Sequence, residues 1–384
     1  MQTVSTINNK IKAEANRLGF SFLQITRPIQ PPHYEAYLHW LADSHTGEMK
    51  YLSSERTRQS RQTPAGLLDN AQSILTFGVR YAPLTQSLPS EEDTQNPVGL
   101  VASYALHADY HDALKQAAHR LMDFIVRETG KNIQYRVFVD SSALLEKDTA
   151  FMAGAGWIGK NSLIITPETG SFQVLGCILT DLELISDKPF SKDLCGSCQK
   201  CQDSCPTGCI TDNHNLRADE CIAYLTIEYK GVIPRHLRSR MGLWVFGCDI
   251  CQNVCPWNHK PQTQPFQVSP LLPQVMEPGI DLLAEIKLDE DSFRKKYAGS
   301  PILRATHTGF QRNLIIAMGN SGSQACLPAL KKILRESPAW LLRLHAAWAI
   351  SSLRSPDMRQ ILEKALSMED DERVRDELRC CLNQ

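Results

Sequence analysis

Nine of the chain's 13 cysteines lie between Cys195 and Cys255, and this concentration limits what that segment can be. The N-terminus, MQTVSTINNKIKAEANRLGF, has no basic start followed by an apolar stretch and a small-residue cleavage site. We therefore expect a cytoplasmic protein, in which thiols stay reduced. Under reducing conditions such a density of cysteines indicates metal binding rather than disulfides.

The first run of cysteines has the spacing C-x2-C-x2-C-x3-C-P, formed by Cys195, Cys198, Cys201, Cys205 and Pro206. This is the bacterial ferredoxin pattern, in which the fourth cysteine binds the other of two clusters. The first three thiolates wrap one cluster on a tight loop, and the fourth follows the turn and points away. A second [4Fe–4S] cluster is therefore predicted.

The second run, CDICQNVCP, has the spacing C-x2-C-x3-C-P and lacks one cysteine at its start. Cys221, which precedes this run and follows the first, is the natural substitute. The predicted ligands are Cys195, Cys198, Cys201 and Cys255 for one cluster and Cys205, Cys221, Cys248 and Cys251 for the other.

Other interpretations of the cysteines stay open. Zinc would use two closed sites of four thiolates each, although it does not require this spacing. Cys209 lies four residues past Cys205 and could compete as a ligand, but eight ligands are found without it, which favours a structural role. Structural roles are also expected for Cys177, Cys326, Cys380 and Cys381.

The fold class predicted for the chain is α+β, with four segments. Residues 1–185 mix strand-like runs with a helix over about 110–129, which indicates a mixed α/β domain. Residues 186–260 form a ferredoxin-like domain for two clusters, and residues 261–300 are a proline-rich connector. Residues 301–384 have a helical composition. The strand-like runs of the first segment are FSFLQIT, SILTFGVRYA, QYRVFVD and FQVLGCILT.

The helical segment repeats itself at one fixed interval. The matching pairs, all separated by the same number of positions, are Asn313 and His345, Ala317 and Ala349, and Leu330 and Leu362. Such a period predicts two helical pairs and a partial third of HEAT type. The alternative is a pair of helical hairpins that merely pack. Either arrangement offers a surface for a partner.

The segment GAGWIGKN, residues 154–161, matches G-x-G-x-x-G and differs from a P-loop only at Asn161. A nucleotide site requires the order strand, glycines, helix. Here the flanking sequence predicts helix, glycines, strand, which favours a glycine-rich turn over nucleotide binding.

Asp140 ends the strand-like run QYRVFVD and is the main candidate for a catalytic carboxylate. Burial in a pocket at the strand end would raise its pKa and let it carry a proton near neutral pH. Alternatively it caps a following helix. In the separate segment HADYHD, Asp109 and His111 begin the corrinoid motif D-x-H-x-x-G, but Leu114 occupies the glycine position, so a corrinoid would not bind through this motif.

The chain resembles the epoxyqueuosine reductases over almost its whole length. The resemblance rests on VDSSALLEK, GWIGKNSLIITPETGSF, DYHDAL, the cysteine order with CPTG, and GCDICQNVCPWN before helical repeats. It implies that residues 1–185 bind cobalamin without a protein histidine on cobalt, and that Asp140 is the catalytic proton donor. The implied cobalamin contacts are Arg61, Ala102, Asp140, Ile164, Leu175 and Lys200.

This resemblance implies that the epoxide of epoxyqueuosine in a tRNA anticodon loop is reduced to an alkene, with electrons from an external donor such as ferredoxin or flavodoxin. We expect a monomer and no membrane span. The rivals are another corrinoid iron–sulfur enzyme, such as a reductive dehalogenase, and a non-enzymatic electron carrier. The net charge of −1 gives no bulk attraction to nucleic acid. Two local groups could contact phosphates or form a solvated charged face: Arg235, His236, Arg238 and Arg240, and Lys331, Lys332 and Arg335.

Overall fold

The structure is a computed structural model, described for residues 2–43, 45–83, 97–140, 143–211, 214–259 and 269–383. Its strands are β1 Phe22–Thr26, β2 Ser73–Arg80, β3 Val98–Val101, β4 Tyr135–Phe138, β5 Trp157–Ile158, β6 Ile164–Ile165, β7 Gln173–Thr180, β8 Trp244–Phe246 and β9 Ile280–Asp281. Its α-helices are α1 Gln2–Arg17, α2 Tyr34–Ala42, α3 Glu55–Gln62, α4 Tyr110–Thr129, α5 Glu146–Met152, α6 Lys200–Asp203, α7 Ile222–Ile227, α8 Arg235–Arg238, α9 Ile250–Asn253, α10 Leu282–Glu285, α11 Glu290–Lys296, α12 His307–Asn320, α13 Leu327–Glu336, α14 Trp340–Leu353, α15 Met358–Met368 and α16 Glu372–Leu382.

The chain forms two compact units that alternate along the sequence. The first consists of Met1–Pro83, His107–Asp219 and Asp249–Val275, and the second of Leu84–Leu106, Glu220–Cys248 and Met276–Gln384. The cysteine region contributes to both units, because Glu220–Cys248 belongs to the second. The four segments expected from the sequence stay a prediction.

The first unit contains an antiparallel sheet in the order β1-β2-β7-β4. The four strands correspond to the four strand-like runs of the sequence, which confirms that prediction. Every residue of strand β2 is buried, including the polar Ser73, Thr76 and Arg80. Gly176 pairs with Phe77, and a Cβ on Gly176 would lie 2.4 Å from the Phe77 ring. The close packing of this ring onto β7 therefore requires glycine.

Helix α4 packs on this sheet, against β4 and β7. Its apolar face, which includes Leu114, Leu121 and Ile125, is fully buried. Asp109 caps its N-terminus by accepting a hydrogen bond from the His111 amide at 3.0 Å, and Gly130 ends it with φ +63°. The predicted helix over 110–129 is confirmed.

The glycine-rich segment 154–161 forms a turn and the small antiparallel hairpin of β5 and β6. A Cβ on Gly156 would lie 2.0 Å from the carbonyl oxygen of Ile165. The space that a nucleotide phosphate would need beside this glycine is filled by the hairpin's own backbone. The prediction of a glycine-rich turn is confirmed.

The second unit contains a sheet in the order β8-β3-β9, which the sequence did not predict. These strands have two to four residues each, too short to show a clear periodicity. Residues 261–300, expected as an irregular connector, contain β9, α10 and α11 in their described part. Asp281 and Asp289 cap these two helices. The connector prolines 261 and 265 lie outside the described residues.

The second unit contains the consecutive helices α12 to α16, in which α14 packs against α12, α13 and α16, and α15 packs against α16. Ala317 and Ala349, one matching pair of the repeat, are both fully buried, as are Leu330 and Leu362. The predicted repeat with a partial third unit is confirmed. None of the helices in the described ranges has both the length and the apolar character needed to cross a membrane.

Candidate iron–sulfur and proton-transfer site

The four cysteines predicted for one cluster line a single pocket in the first unit. Cys195 and Cys198 precede α6, Cys201 lies within it, and Cys255 follows α9. The pocket is lined by Lys160, Asn161, Ile165, Leu194, Cys195, Cys198, Lys200, Cys201, Cys255, Pro256 and Trp257. Among the residues that the structure describes, no three His, Cys, Asp or Glu side chains are grouped as around one metal ion. The four thiols line a wider space instead.

The electrostatics of the pocket suit a positively charged iron centre. Burial raises the pKa of the Cys201 thiol, and the neighbouring Cys195 raises it further. Burial also raises the pKa of Cys255. Buried thiols with raised pKa values bind as thiolates only when a cation compensates their negative charge, and the iron of a cluster provides this positive charge. The residues present therefore fit the cluster.

The glycine-rich segment supplies two contacts that hold this cysteine loop. Lys160 Nζ donates hydrogen bonds to the carbonyl oxygens of Gly196 at 2.9 Å and Cys198 at 3.0 Å. Trp157 Nε1 donates to Cys195 Sγ at 3.4 Å. Asn161 is buried, and its Nδ2 has no hydrogen-bond partner among the described residues. The segment thus holds the cysteine loop in place, a role that the resemblance to a P-loop did not predict.

The second predicted ligand set is divided between the units. Cys205 and Cys251 belong to the first unit, whereas Cys221 and Cys248 belong to the second. The Cys205 sulfur lies 3.5 Å from Cys209 Sγ and 3.4 Å from Thr207 Oγ1. The hydrogen bond from Cys209, followed by that from Thr207, lowers the pKa of Cys205 to about 4 despite burial. Cys205 is thus prepared to bind metal as a thiolate.

Asp140 follows β4 and is exposed, with 63% of its side chain accessible. The burial expected from the sequence is therefore absent, and that expectation is corrected. Asp140 does not cap α5, whose N-cap residue is Leu145; Ser141 and Ser142 lie outside the described residues. The Asp140 backbone has φ +52°, a left-handed conformation that costs about 1–2 kcal/mol in non-glycine residues. Such conformations concentrate at functional sites.

Two side chains at the start of α4 converge on the Asp140 carboxylate. The Tyr110 hydroxyl donates to Asp140 Oδ2 at 2.7 Å, and His111 Nε2 lies 3.6 Å from the same oxygen. His111 Nδ1 lies 2.7 Å from Asp109 Oδ1. The Asp109 carboxylate, and after it Asp140, raise the pKa of His111 to about 9. His111 is therefore an imidazolium at neutral pH, next to the predicted catalytic acid.

The residues expected to contact cobalamin are placed as follows. Ile164 and Leu175 belong to one apolar cluster of the first unit. Arg61 stacks on Tyr37 at 4.7 Å from the ring centroid, and its buried Nε has no partner among the described residues. Lys200 lines the cysteine pocket. Ala102 belongs to the second unit, where it is buried beside Gly247. A buried guanidinium nitrogen without a partner fits a polar ligand near Arg61.

The predicted basic stretch of residues 235–240 is only partly exposed. Arg238 is 1% accessible, and its Nη1 contacts Glu377 Oε1 at 2.8 Å. Arg235 contacts the same carboxylate. Arg238 therefore cannot reach a phosphate, and that expectation is wrong because this arginine neutralises a buried glutamate. His236 and Arg240 are exposed.

The functional residues that were not predicted are those whose hydrogen-bond partners lie in a distant segment of the sequence. Tyr110 lies 30 residues before its partner Asp140, and Lys160 lies 38 residues before its partner Cys198. The segments DYHDAL and GWIGKN were both noticed, but no spacing rule connects them to Asp140 or to the cysteines. The proximity of His111 to the end of β4 could have been found only by pairing α4 with that strand.

Comparison with known protein families identifies three parts of the chain. Residues 194–258 match the 4Fe-4S double cluster binding domain, and residues 300–382 match HEAT repeats. Together with the cysteine pocket, these matches define an iron–sulfur oxidoreductase that ends in helical repeats. Residues 61–141 match the family described as epoxyqueuosine reductase QueG, DUF1730.

The full-length relatives identify the family. An epoxyqueuosine reductase from Vibrio cholerae is 38% identical over 344 residues, which cover 89% of this chain and 90% of the relative. The chain belongs to the epoxyqueuosine reductase family, and the resemblance seen in the sequence is confirmed.

Solved structures agree with this assignment. The structure of an epoxyqueuosine reductase with a tRNA-Tyr epoxyqueuosine-modified stem loop has a TM-score of 0.88 at 28% identity, over 99% of each chain. A Bacillus subtilis epoxyqueuosine reductase, whose aspartate-bearing catalytic loop is swung out of the active site, has a TM-score of 0.86 at 28% identity, also over 99% of each chain.

Proposed function

We propose that this chain reduces the epoxide of epoxyqueuosine, in the anticodon loop of tRNA, to the alkene of queuosine. The reaction consumes two electrons and two protons and releases water. Bound cobalamin would supply a centre that reacts at carbon, and two [4Fe–4S] clusters would supply single electrons. One observation carries the proposal. The first unit contains both a pocket lined by four thiols and the exposed Asp140 carboxylate, which Tyr110 and His111 contact.

The cluster ligands follow from the cysteine spacing. One cluster is held by the four cysteines that line the pocket of the first unit. The other is held by Cys205, Cys221, Cys248 and Cys251. The shared pocket of the first four cysteines supports the first assignment, and the low pKa of Cys205 supports thiolate ligation in the second set.

The cobalamin contacts are Arg61, Ala102, Asp140, Ile164, Leu175 and Lys200. Ile164 and Leu175 belong to one apolar cluster, in which the partly buried Leu175 offers apolar surface suited to the face of a macrocycle. The unpartnered Arg61 Nε is suited to a polar substituent. No histidine is assigned to cobalt, in keeping with the family resemblance, and the His111 ring is already engaged by Asp109.

Asp140 donates the proton that the departing epoxide oxygen requires. Its exposure makes it accessible to a base that is presented by a tRNA loop. Tyr110 fixes the orientation of the carboxylate through its hydroxyl. The His111 imidazolium stabilises the carboxylate that is left after proton transfer.

The substrate is a single-stranded loop, in which a modified base can be turned out into a pocket. The exposed His236 and Arg240 remain candidates for phosphate contacts, as do Lys332 and Arg335 on α13. The electrons come from an external one-electron donor such as ferredoxin or flavodoxin. The protein acts as a monomer in the cytoplasm.

The test is conversion of the modified base by the complete protein. The full chain is reconstituted without oxygen with iron, sulfide and cobalamin, and is then given epoxyqueuosine-containing tRNA and reduced flavodoxin. Nucleoside digestion and mass spectrometry should show queuosine replacing epoxyqueuosine. Omission of cobalamin should abolish the conversion, which separates the enzyme from a simple electron carrier. Unchanged epoxyqueuosine with fully loaded protein would overturn the proposal.

A further inference from the structure

Cys209 is a buried thiol that the proposed mechanism does not use. Its side chain belongs to the first unit and is only 2% accessible. The chain turns sharply after Cys205, where the Gly208 amide donates to the Cys205 carbonyl at 3.0 Å and Gly208 has φ +67°. The turn brings the side chains of Thr207 and Cys209 next to the Cys205 sulfur. The Cys209 carbonyl accepts a hydrogen bond from the Arg217 amide at 2.9 Å, which fixes the end of the turn.

Two side chains that can donate hydrogen bonds therefore face one sulfur. Cys209 Sγ lies 3.5 Å and Thr207 Oγ1 lies 3.4 Å from Cys205 Sγ. Both are ordinary distances for hydrogen bonds to sulfur. A thiolate bound to iron carries no hydrogen, so Cys205 can only accept. The direction of both hydrogen bonds is then settled: the thiol of Cys209 and the hydroxyl of Thr207 donate.

Hydrogen bonds to ligand sulfurs are one of the ways by which proteins adjust the reduction potential of iron–sulfur clusters. Reduction adds negative charge to the cluster and its thiolates. A donor directed at a ligand sulfur stabilises that charge, and so favours the reduced state. A thiol is a weaker donor than a hydroxyl, so the contribution of Cys209 is smaller than that of a hydroxyl in the same place.

We propose that Cys209 is not a ligand but a positioning residue, whose thiol donates a hydrogen bond to Cys205 and raises the potential of the cluster that Cys205 binds. This proposal rests on the cluster assignment made above. Thr207 acts on the same sulfur in the same direction. The pair makes this cluster a better electron acceptor than its cysteine ligands alone would, and leaves the cluster at Cys195 untouched.

The experiment is a redox titration of the complete, reconstituted protein, followed by electron paramagnetic resonance. Cys209→Ala removes the donor, and Cys209→Ser replaces it with a stronger one. In the alanine variant one cluster should become two- to fivefold harder to reduce, which is about 20–40 mV for a one-electron centre. In the serine variant its potential should equal or exceed that of the natural protein. The second cluster should not change.

Two further variants separate the hydrogen bond from packing. Thr207→Val should shift the same cluster in the same direction. Cys326→Ala removes another fully buried thiol that contacts a hydroxyl, at 3.7 Å from Ser321 Oγ, and should shift neither cluster. Equal shifts in Cys209→Ala and Cys209→Ser would attribute the effect to packing and overturn the proposal, as would no shift in either.

Metal content distinguishes this proposal from the proposed function. Loss of about four irons in Cys209→Ala would make Cys209 a ligand and overturn the positioning role. A natural protein with no cluster at Cys205 would overturn the ligand assignment and this proposal together. A natural protein with both clusters and the expected shift, but without activity on tRNA, would refute only the proposed function.

Discussion

The two units use their buried polar groups differently. In the first unit, Asn161 Nδ2 and Arg61 Nε are buried without a partner among the described residues. In the second, the fully buried Arg312 donates to three backbone carbonyls and to Asn313, which in turn donates to the carbonyls of Thr226 and Val245. Buried polar groups are normally satisfied, so those left over indicate where a ligand belongs. Asn161 and Arg61 in the first unit thus leave donors for a ligand, whereas the Arg312–Asn313 network of the second unit is satisfied by the protein itself.

The same contrast holds for charged groups. Asp140 is exposed and held by two side chains from α4, whereas Arg238 is buried against Glu377. The first arrangement leaves the carboxylate ready for a substrate, and the second uses the charge to hold helices together. Substitutions at Asp140 should therefore affect turnover, whereas substitutions at Arg238 should affect stability.

The largest effect is expected for Asp140→Asn. The amide keeps the shape of the side chain but cannot donate the proton, so turnover should fall by about 10²–10⁴-fold. Iron content should not change, and cobalamin should stay bound through its other contacts. Single-turnover conversion of the tRNA base measures the loss. Asp123→Asn, an exposed carboxylate on α4, is the matched control, and full activity of Asp140→Asn would end the proposed role.

The next effect tests the scaffold. Arg312→Met keeps most of the volume but leaves the carbonyls of Leu225, Tyr229 and Gly231 without their donor. An unsatisfied buried acceptor costs about 1–3 kcal/mol, so the loss of stability should be about 3 kcal/mol or more. Urea denaturation followed by circular dichroism measures it.

The control for this scaffold variant is Arg359→Met. Arg359 forms an exposed ion pair with Glu363 on α15, which contributes less than about 1 kcal/mol. Equal denaturation midpoints for the two variants would contradict the distinction between buried and exposed arginines in the second unit.

The third prediction concerns pH and His111. Its pKa of about 9 lies above the usual value because of Asp109 and Asp140, so the charged form is present at neutral pH and is lost as pH rises through about 9. Turnover should fall over that range. The ion pairs should likewise contribute fully to stability below about pH 6.5 and lose their contribution towards about pH 9.

His111→Gln measures the role of this charge directly. The variant should lower turnover by about tenfold at neutral pH and remove the alkaline decline, whereas a merely structural histidine would leave the shape of the pH profile unchanged. The pH dependence of kcat/KM in both proteins distinguishes these outcomes.

The smallest effect is expected at the cysteine loop. Lys160→Met removes the two hydrogen bonds to the carbonyls of Gly196 and Cys198. Because one bond is exposed and the other only partly buried, the two together contribute about 0.5–1 kcal/mol, so a chelator should remove iron from this cluster about two- to fivefold faster. Lys192→Met, at an exposed lysine, should have no effect. Equal rates in the two variants would show that the loop does not need Lys160.

Much of the fold could be predicted from the sequence because the relevant signals are local. The strands of the first sheet, helix α4 and the helical repeat all follow from periodicity within one segment. The short strands β3, β8 and β9 could not be predicted, because β3 is stabilised by partners that lie far along the chain. The same limit applies to the site: cysteine spacing is local, whereas the approach of Tyr110 and His111 to Asp140 depends on how α4 packs beside β4.

We propose above all that this chain binds two clusters and a corrinoid, which supply electrons to the reaction in which Asp140 donates the proton. The most direct measurement is quantification of iron, acid-labile sulfide and cobalt in protein prepared without oxygen and incubated with cobalamin. The account predicts about eight irons, about eight sulfides and about one cobalt per chain. Zinc, or about four irons with no cobalt uptake, would contradict it.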